Sequence, residues 1–243
     1  MTAATRADVC VVACAEVFRG DGEILASPMG LIPRLGAELA RATFEPDLLL
    51  TDGVATLVDR DGQREGTMTY SEVFDTLWWG RRHVMMGATQ LDRFGNQNIS
   101  CIGVWAQPKV QLLGVRGAPG NTINHPTSYW VARHGPRVFV ESVDMVSGIG
   151  YDRAAELSPW TTRFHQIRRV VTNLGVFDFR TPDRSMRVVS VHPGVSVERV
   201  VEETGFPLLL APRVDETRTP TAAELECIRT LDPENRRHGE VSE

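Results

Sequence analysis

The sequence predicts an α/β fold, an open and mainly parallel sheet with flanking helices. Short apolar runs bounded by turn residues alternate with segments whose apolar residues recur every three to four positions. Near the N-terminus the order is strand, small-residue loop, helix, strand, which is typical of a βαβ unit with two parallel strands. A chain of 243 residues is long enough to bury the core of such a domain.

The first predicted helix begins at a capping-box-like sequence, in which Thr5 can cap the helix and Asp8 favours its N-terminus. Apolar residues follow at positions 7, 10, 11, 14, 17 and 18, the spacing of an amphipathic helix that Gly20 ends. Cys10 and Cys14 lie on this apolar stripe. Because the four cysteines contain no C-x-x-C pair, we expect buried thiols rather than a metal site or a disulfide.

The next elements follow from the same periodicities. A strand at Ile24-Leu25-Ala26 leads into the loop Ser27-Pro-Met-Gly30, and a second helix is predicted over about residues 35–42. A buried strand at Leu48-Leu49-Leu50 then ends in Thr51-Asp52-Gly53. Further strands are predicted over residues 83–86, 110–113, 137–140, 168–171 and 186–191, and a helix begins after Ser196.

The composition divides the chain near residue 210. From residue 211 onward it is charged and contains prolines, so we predict an α/β domain over residues 1–210 and a C-terminal extension over residues 211–243. Thr221-Ala-Ala-Glu224 is a capping box and predicts a short helix over about residues 222–231 of the extension.

Charge and hydropathy exclude several classes of function. A net charge of -5 disfavours binding to nucleic acid or to an anionic membrane surface, and the short clusters Arg81-Arg82 and 163–169 are interpreted as solvated or subunit-facing surface. No apolar run approaches the ~20 residues of a membrane helix, and the N-terminus carries no signal-peptide run. None of the six histidines has metal-ligand spacing. We therefore expect a cytoplasmic protein that holds no metal.

Two loops carry residues suited to binding a polar ligand. The first runs from Met86 to Asn98 and contains Gln90 and Asn96; the second runs over 114–121 and is rich in glycine. Each follows a predicted strand, which is where open α/β sheets bind their ligands. Glycine lets backbone N–H groups approach an anion or a thioester oxygen closely, and the side-chain amides supply neutral donors and acceptors. A tight turn at Gly95-Asn96 is the structural alternative.

The residues of these loops resemble those of a known family. Met86-Gly87-Ala-Thr-Gln90-Leu-Asp92-Arg-Phe-Gly95-Asn96-Gln-Asn98 resembles the LGAxQVDxxGNxN stretch of the β subunits of family I CoA-transferases, closest to the glutaconate type. In the same order, residues 114–118, 138–151 and 191–206 resemble the family's GxGGA, FVExVDFxTxxGY and HPGVxxEEVxxxTGF segments. The matches cover about residues 6–210. The resemblance implies an open α/β domain that pairs with a homologous α subunit, with the active site between the two chains.

One departure from the family pattern concerns its nucleophile. The family's strand after the second helix ends in Glu-x-Gly, and that glutamate attacks the thioester and carries the CoA. Here Thr51 occupies the glutamate position, and a hydroxyl has no resting negative charge and needs a base to attack. We expect the covalent nucleophile to be lost. The alternative is a one-residue shift that makes Asp52 the nucleophile, although a misplacement near 1 Å can cost ~100-fold in rate.

A second departure is Arg116, which stands where the family's glycine loop has a small residue. An arginine there can bind a substrate carboxylate or a CoA phosphate through two parallel hydrogen bonds. An ordinary salt bridge at a subunit interface is the alternative.

A CoA-transferase fold without the transferring glutamate resembles the steroid ring-cleaving CoA hydrolases of actinobacteria, which act in cholesterol catabolism as α/β heteromers. The resemblance implies that water opens the ring of a cyclic β-keto acyl-CoA from steroid rings C and D by retro-Claisen C–C cleavage. It implies an α2β2 heterotetramer with the α subunit. It also implies no cofactor, because CoA is part of the substrate.

Ring opening by water needs a general base and hydrogen-bond donors for the developing enolate. We expect the base from the α subunit. The candidate substrate- and CoA-binding groups of this chain are Gln90, Asn96, Asn98, Arg116 and the amides of Gly117 and Ala118, and Trp78, Trp79, Trp105 and Tyr129 are candidate pocket walls. Two alternatives stay open: a CoA-transferase β subunit that uses Asp52, and a subunit that only scaffolds or regulates its partner.

Overall fold

A computed structural model of the protein describes residues 4–51, 56–69, 71–72, 75 and 81–241, with the backbone alone at Thr51. Its strands are β1 Leu25–Pro28, β2 Leu49–Thr51, β3 Thr56–Val58, β4 Arg64–Thr67, β5 Arg82–Gly87, β6 Gln90–Leu91, β7 Gln97–Asn98, β8 Cys101–Ile102, β9 Val110–Gln111, β10 Pro126–Val131, β11 Gln166–Thr172, β12 Gly175–Asp178, β13 Arg187–Val191 and β14 Leu209–Glu216. Its α-helices are α1 Arg6–Val17, α2 Leu31–Thr43, α3 Ala118–Asn124, α4 Tyr151–Ala155, α5 Val197–Glu202 and α6 Ala222–Leu231.

Ten of these strands form one sheet in the order β14-β13-β12-β11-β10-β5-β1-β2-β3-β4. The central strands β2, β1, β5, β10 and β11 are parallel, and the antiparallel pairings lie toward the two edges. The prediction of an open, mainly parallel α/β sheet is therefore confirmed. The pairs β6–β7 and β8–β9 form two small separate sheets.

Helix α1 begins as its sequence predicts, because Thr5 and Asp8 form both hydrogen bonds of the capping box. The prediction of an amphipathic helix is wrong. Ten of its twelve residues are buried, including Asp8, because α1 packs between the sheet, α2 and the C-terminal residues. Gly36 allows this contact, since a Cβ there would lie 2.6 Å from Cys14 Cβ. Cys10, Cys14 and Cys101 are buried thiols, and burial raises the pKa of Cys10 to about 12.

Two of the predicted strands are absent or shortened, and one strand of the structure was not predicted. Residues 137–140 form a turn with one isolated bridge at Phe139, and the predicted strand at 110–113 is reduced to the two residues of β9. Conversely, β10 lies at the centre of the sheet with all six residues buried. Within the described ranges no helix has both the length and the apolar content to cross a membrane.

The C-terminal residues pack against the first half of the chain. Strand β14 joins the large sheet beside β13, and α6 covers the segment for which the capping box at Thr221 predicts a helix. Ile228 is fully buried against the α1–α2 core. The guanidinium of Arg237 binds Asp8 at 2.7 Å and Asp232 at 2.9 Å. The division at residue 210 remains a prediction.

Candidate active site

The carboxyl ends of the parallel strands meet at one edge of the sheet, where this fold class binds ligands. Strand β1 ends in the Ser27–Gly30 loop, and Gly30, with φ of 105°, precedes helix α2. Strand β5 ends at Gly87, beside Trp130 of β10. Strand β2 ends at Thr51. Since Ala26 pairs with Leu50 in the parallel ladder, Thr51 lies beside Ser27.

The side chain of Thr51 and the whole of Asp52 lie outside the described residues. The loss of the transferase glutamate, and the alternative use of Asp52, are therefore predictions that rest on the sequence. What the structure adds is the backbone position of Thr51 at the carboxyl edge, the edge where the sequence predicts the site.

A buried arginine connects this edge to the glycine loop. Arg82 is 6% exposed, and its guanidinium donates from Nε to Ser27 Oγ at 2.8 Å and from Nη1 to Asn121 Oδ1 at 3.0 Å. Ser27 belongs to β1, and Asn121 to α3, the helix that follows the glycine loop. Arg82 therefore holds these two parts of the candidate site together.

The sequence-based interpretation of Arg81-Arg82 as surface is wrong for Arg82, whereas Arg81 is exposed. The signal that identifies Arg82 is its position as the first residue of β5, five of whose six residues are buried. A charged residue in a strand buried on both faces requires internal partners.

The glycine loop, residues 114–118, is shaped by close contacts of its backbone. Glycine is required at position 114, because a Cβ there would overlap the carbonyl oxygen of Ile99. The sequence predicts that the Ala118 N–H donates to the enolate oxygen of the substrate. In the structure this N–H already donates to Val115 O at 3.1 Å. Among the described residues the Gly117 N–H has no acceptor, which makes it the better candidate donor. The strand before this loop, β9, belongs to a two-stranded sheet and not to the large sheet, contrary to the prediction.

Arg116 lies on the exposed side of this loop with φ of 50°, in the left-handed region. In the part of the chain that the structure describes, its guanidinium forms no ion pair or hydrogen bond. Both predicted roles, ligand binding and an interface salt bridge, stay open, and each requires a partner from outside this chain.

Gln90 and Asn98 form a buried network with Asp144. Asn98 Nδ2 donates to Gln90 Oε1 at 2.7 Å and to Cys101 O at 2.7 Å, and its Oδ1 accepts from the Ser100 N–H at 2.9 Å. Gln90 Oε1 also accepts the Asp144 N–H at 3.0 Å, and Gln90 Nε2 donates to Asp144 Oδ2 at 3.2 Å. The amides of Gln90 and Asn98 are thus committed to other groups of the chain, which favours a positioning role.

Asn96 is committed in the same way. Its Nδ2 donates to Asp92 Oδ2 and to Asp152 Oδ1, both at 2.8 Å, and its Oδ1 accepts the Gly150 N–H at 2.7 Å. Burial raises the pKa of Asp92, although hydrogen bonds from Asn96 and Phe94 oppose the shift. A direct contact of Gln90, Asn96 or Asn98 with a ligand remains a prediction.

A serine, a histidine and an aspartate stand in line across the middle of the sheet. His83 Nε2 lies 2.9 Å from Ser128 Oγ, and His83 Nδ1 lies 2.6 Å from Asp21 Oδ2. Ser128 and His83 are 0% exposed, as is the Asp21 side chain, so no substrate reaches the hydroxyl. Burial lowers the pKa of His83 despite the bond to Asp21. The three residues cross-link β5, β10 and the turn before β1.

The predicted aromatic walls are not brought together in the described residues. Tyr129 is fully buried in β10, where its hydroxyl donates to Gly95 O at 3.4 Å, so it belongs to the core. Trp105 is 58% exposed near the β8–β9 pair. Trp78 and Trp79 lie outside the described residues. Across residues 4–51, 56–69 and 81–241, no three His, Cys, Asp or Glu side chains form a group that could hold a metal.

Comparison with known proteins gives consistent matches. The family model named Coenzyme A transferase matches residues 71–203. The chain is 52% identical to the "Cholesterol ring-cleaving hydrolase IpdB subunit" of Rhodococcus jostii, over 100% of this chain and 98% of the relative. It is 53% identical to the subunit of the same name from Mycobacterium tuberculosis, over 98% of both chains. The crystal structure of Rhodococcus jostii IpdAB superposes with a TM-score of 0.94 at 51% identity, covering 100% of both chains.

Proposed function

Because the chain belongs to the coenzyme A transferase family, we propose that it is the β subunit of a heteromeric hydrolase that opens the ring of a cyclic β-keto acyl-CoA derived from steroid rings C and D. The observation that carries this proposal is the similarity to cholesterol ring-cleaving hydrolase subunits over the full length of the chain. The carboxyl edge of the sheet, with Ser27, Thr51 and the glycine loop, is the part of the chain that we assign to the acyl-CoA.

The proposed reaction is a retro-Claisen hydrolysis. A base takes a proton from water, and the hydroxide adds to the ring ketone. The bond between that carbon and the α carbon of the thioester then breaks, and its electron pair forms the thioester enolate. Protonation of the α carbon yields a carboxylate on the opened ring, with CoA still attached. Because no acyl group moves to the enzyme, the reaction needs no protein carboxylate as nucleophile.

Hydrogen-bond donors and cations for this reaction come from the glycine loop of this chain. The Gly117 N–H is proposed to donate to the enolate oxygen, and Arg116 to bind the substrate carboxylate or a CoA phosphate. This proposal is supported by the Gly117 amide, which has no acceptor among the described residues, and by the exposed Arg116 guanidinium. We assign the base to the α subunit, since the sequence has Thr51 in place of the family's glutamate.

We further propose an α2β2 assembly in the cytoplasm, with CoA present only as part of the substrate. Both relatives are named as subunits, which supports a partner chain. The exposed Arg116 is consistent with a site completed by that partner.

The test is co-expression with a homologous α-type subunit, followed by incubation with cyclic keto-acyl-CoA substrates and mass spectrometry. The expected product is heavier by one water and retains its CoA. Exchange of CoA onto an added carboxylic acid, with no gain of water, contradicts the proposal.

The alternative, a CoA-transferase that uses Asp52, is favoured by the name of the matching family. Borohydride treatment after incubation with an acyl-CoA separates the two functions, because it traps a covalent CoA thioester on the chain only in a transferase. If the chain is only a scaffold, Arg116→Ala in the reconstituted complex should leave turnover unchanged, whereas the proposed function predicts a loss.

A further inference from the structure

A strongly basic cavity lies at the amino ends of the parallel strands, opposite the candidate active site. It has a volume of about 370 Å³ and opens between the end of α1, the start of β11 and the loop that follows β12. We call it the basic pocket, defined by the arginines that line it: Arg19, Arg168, Arg169, Arg180 and Arg184. Of its described lining residues, Glu16 is the one carboxylate.

One carboxylate behind the pocket, that of Asp178, forms ion pairs with two of these arginines. Asp178 lies 3.7 Å from Arg169, 3.8 Å from Arg180 and 2.7 Å from Arg187, each measured between a guanidinium nitrogen and a carboxylate oxygen. A single negative charge thus faces three positive charges, so Asp178 leaves this side of the pocket with an excess of positive charge.

The other side of the pocket is only partly neutralised. Asp21 pairs with Arg168, and Glu16 pairs with Arg19 at 2.6 Å. Glu16 also binds Arg218 at 2.7 Å. Four of the five lining arginines are therefore paired with three carboxylates, Glu16, Asp21 and Asp178, and two of these carboxylates also bind an arginine outside the pocket.

Arg184 is held in place without an ion pair. Its backbone adopts φ of 58°, in the left-handed region, and its guanidinium lies 5.5 Å from the centre of the Tyr151 ring. Among the described residues no carboxylate pairs with it. A guanidinium that lines a concave surface and has no internal counter-ion is available to an anion from solution.

The buried part of the cluster carries an electrostatic cost. Burial lowers the pKa of Arg169, and the guanidiniums of Arg180, Arg187 and Arg168 lower it further, against the effect of Asp178. A bound anion would offset this repulsion, because it adds negative charge where the guanidiniums are crowded.

We propose that the basic pocket binds the phosphate groups of a nucleotide-sized molecule. Several guanidiniums around one cavity match the multiple oxygens of a phosphate group. An adjoining cavity of about 680 Å³ shares Tyr151, Gln166 and Arg184 with the pocket, and its ring and methyl groups suit an aromatic base. They belong to Phe164, Tyr151, Ala154 and Ala155.

This site is separate from the proposed acyl-CoA site, because the two lie at opposite ends of the parallel strands. The proposal therefore goes beyond ring opening and does not depend on it.

The test is isothermal titration of the assembled complex with adenosine diphosphate and with inorganic phosphate, each at two salt concentrations. The variant is R180A/R184A; the Arg180 side chain is 70% exposed, so its removal leaves the core intact. The matched control is Arg213→Ala, at an arginine that is 87% exposed on strand β14 and paired with Asp215. Binding should be weaker at high salt. We expect the double variant to weaken adenosine diphosphate binding by about tenfold or more and the control to leave it unchanged.

The two probes identify the source of the phosphate. Tighter binding of adenosine diphosphate than of inorganic phosphate supports a nucleotide, and equal binding of both supports a free phosphate group at the same arginines. The proposal is overturned if the wild-type complex binds neither probe, or if Arg213→Ala weakens binding as much as the double variant. Failure of R180A/R184A to assemble, combined with no phosphate binding by the wild-type complex, overturns it and assigns the pocket to a subunit contact.

Discussion

At the scale of single residues, the geometry of the candidate site depends on Arg82. Its guanidinium bridges Ser27 on β1 and Asn121 on α3 through two nitrogens, from a position that solvent barely reaches. The glycine loop immediately precedes α3, so the loop's position relative to Thr51 depends on this bridge. Arg82 is in this sense a positioning residue, which acts through the backbone that it holds.

We predict that Arg82→Lys lowers kcat for ring opening by about 100-fold, because one amine cannot replace the guanidinium fork and a misplacement near 1 Å has a cost of that size. The KM should change much less. The neighbouring Arg81→Lys is the matched control, since Arg81 is exposed and should tolerate the change. Steady-state kinetics and melting temperature are measured together. Normal kcat in Arg82→Lys would contradict the positioning role, and Asn121→Ala tests the same bridge from the other end.

At the scale of elements, the sequence predicts best those segments whose ends carry their own signals. The capping boxes at Thr5 and Thr221 form as expected, because each uses residues three positions apart. Strand β10 is not predicted, because it begins with Pro126 and contains Thr127 and Ser128, whose side chains are buried by the sheet. Residues 137–140 show the opposite error, since a short apolar run also suits a turn that buries one of its residues, here Phe139.

The polar loops are predicted in position but not in detail. Gln90, Asn96 and Asn98 follow β5 near the carboxyl edge, as expected, yet their amides bind Asp92, Asp144 and Asp152. These partners come from elsewhere in the loops, up to 56 residues away in the chain. No local spacing in the sequence indicates such pairs.

Helix α6 tests whether the C-terminal extension is separable from the domain. Ile228→Ala should lower the free energy of unfolding by about 2–5 kcal/mol, because Ile228 is fully buried against the α1–α2 core. Thr230→Ala, on the exposed side of the same helix, is the control and should change it by less than about 0.5 kcal/mol. Urea unfolding of the full chain measures both. Equally small effects would indicate an extension that folds independently of the domain.

Several histidine side chains of the folded protein are buried and neutral. Burial lowers the pKa of His125 to about 4, of His134 to about 3 and of His192 to about 4, from an ordinary value of 6.5. Nearby cations, Arg82 for His125 and Arg199 for His134, lower the values further. Each histidine therefore takes up a proton more readily in the unfolded chain than in the folded one.

Acid should therefore destabilise the fold in a defined range of pH. Above pH 6.5 both states are neutral at these histidines, and as the pH falls below 6.5 the unfolded chain binds more protons, so stability is lost. At pH 5 we expect a loss of about 2 kcal/mol per histidine, from 1.36 kcal/mol per pH unit. Carboxylates with lowered pKa, such as Glu224 at about 2, reduce the stability mainly at lower pH.

Urea unfolding at several pH values between 7 and 5 measures how steeply the free energy of unfolding falls with pH. His134→Gln should reduce the loss at pH 5 by about 2 kcal/mol, and His238→Gln, at an exposed position, should leave that loss unchanged. A free energy of unfolding that stays constant over this range would show that the buried histidines are not neutral in the folded protein.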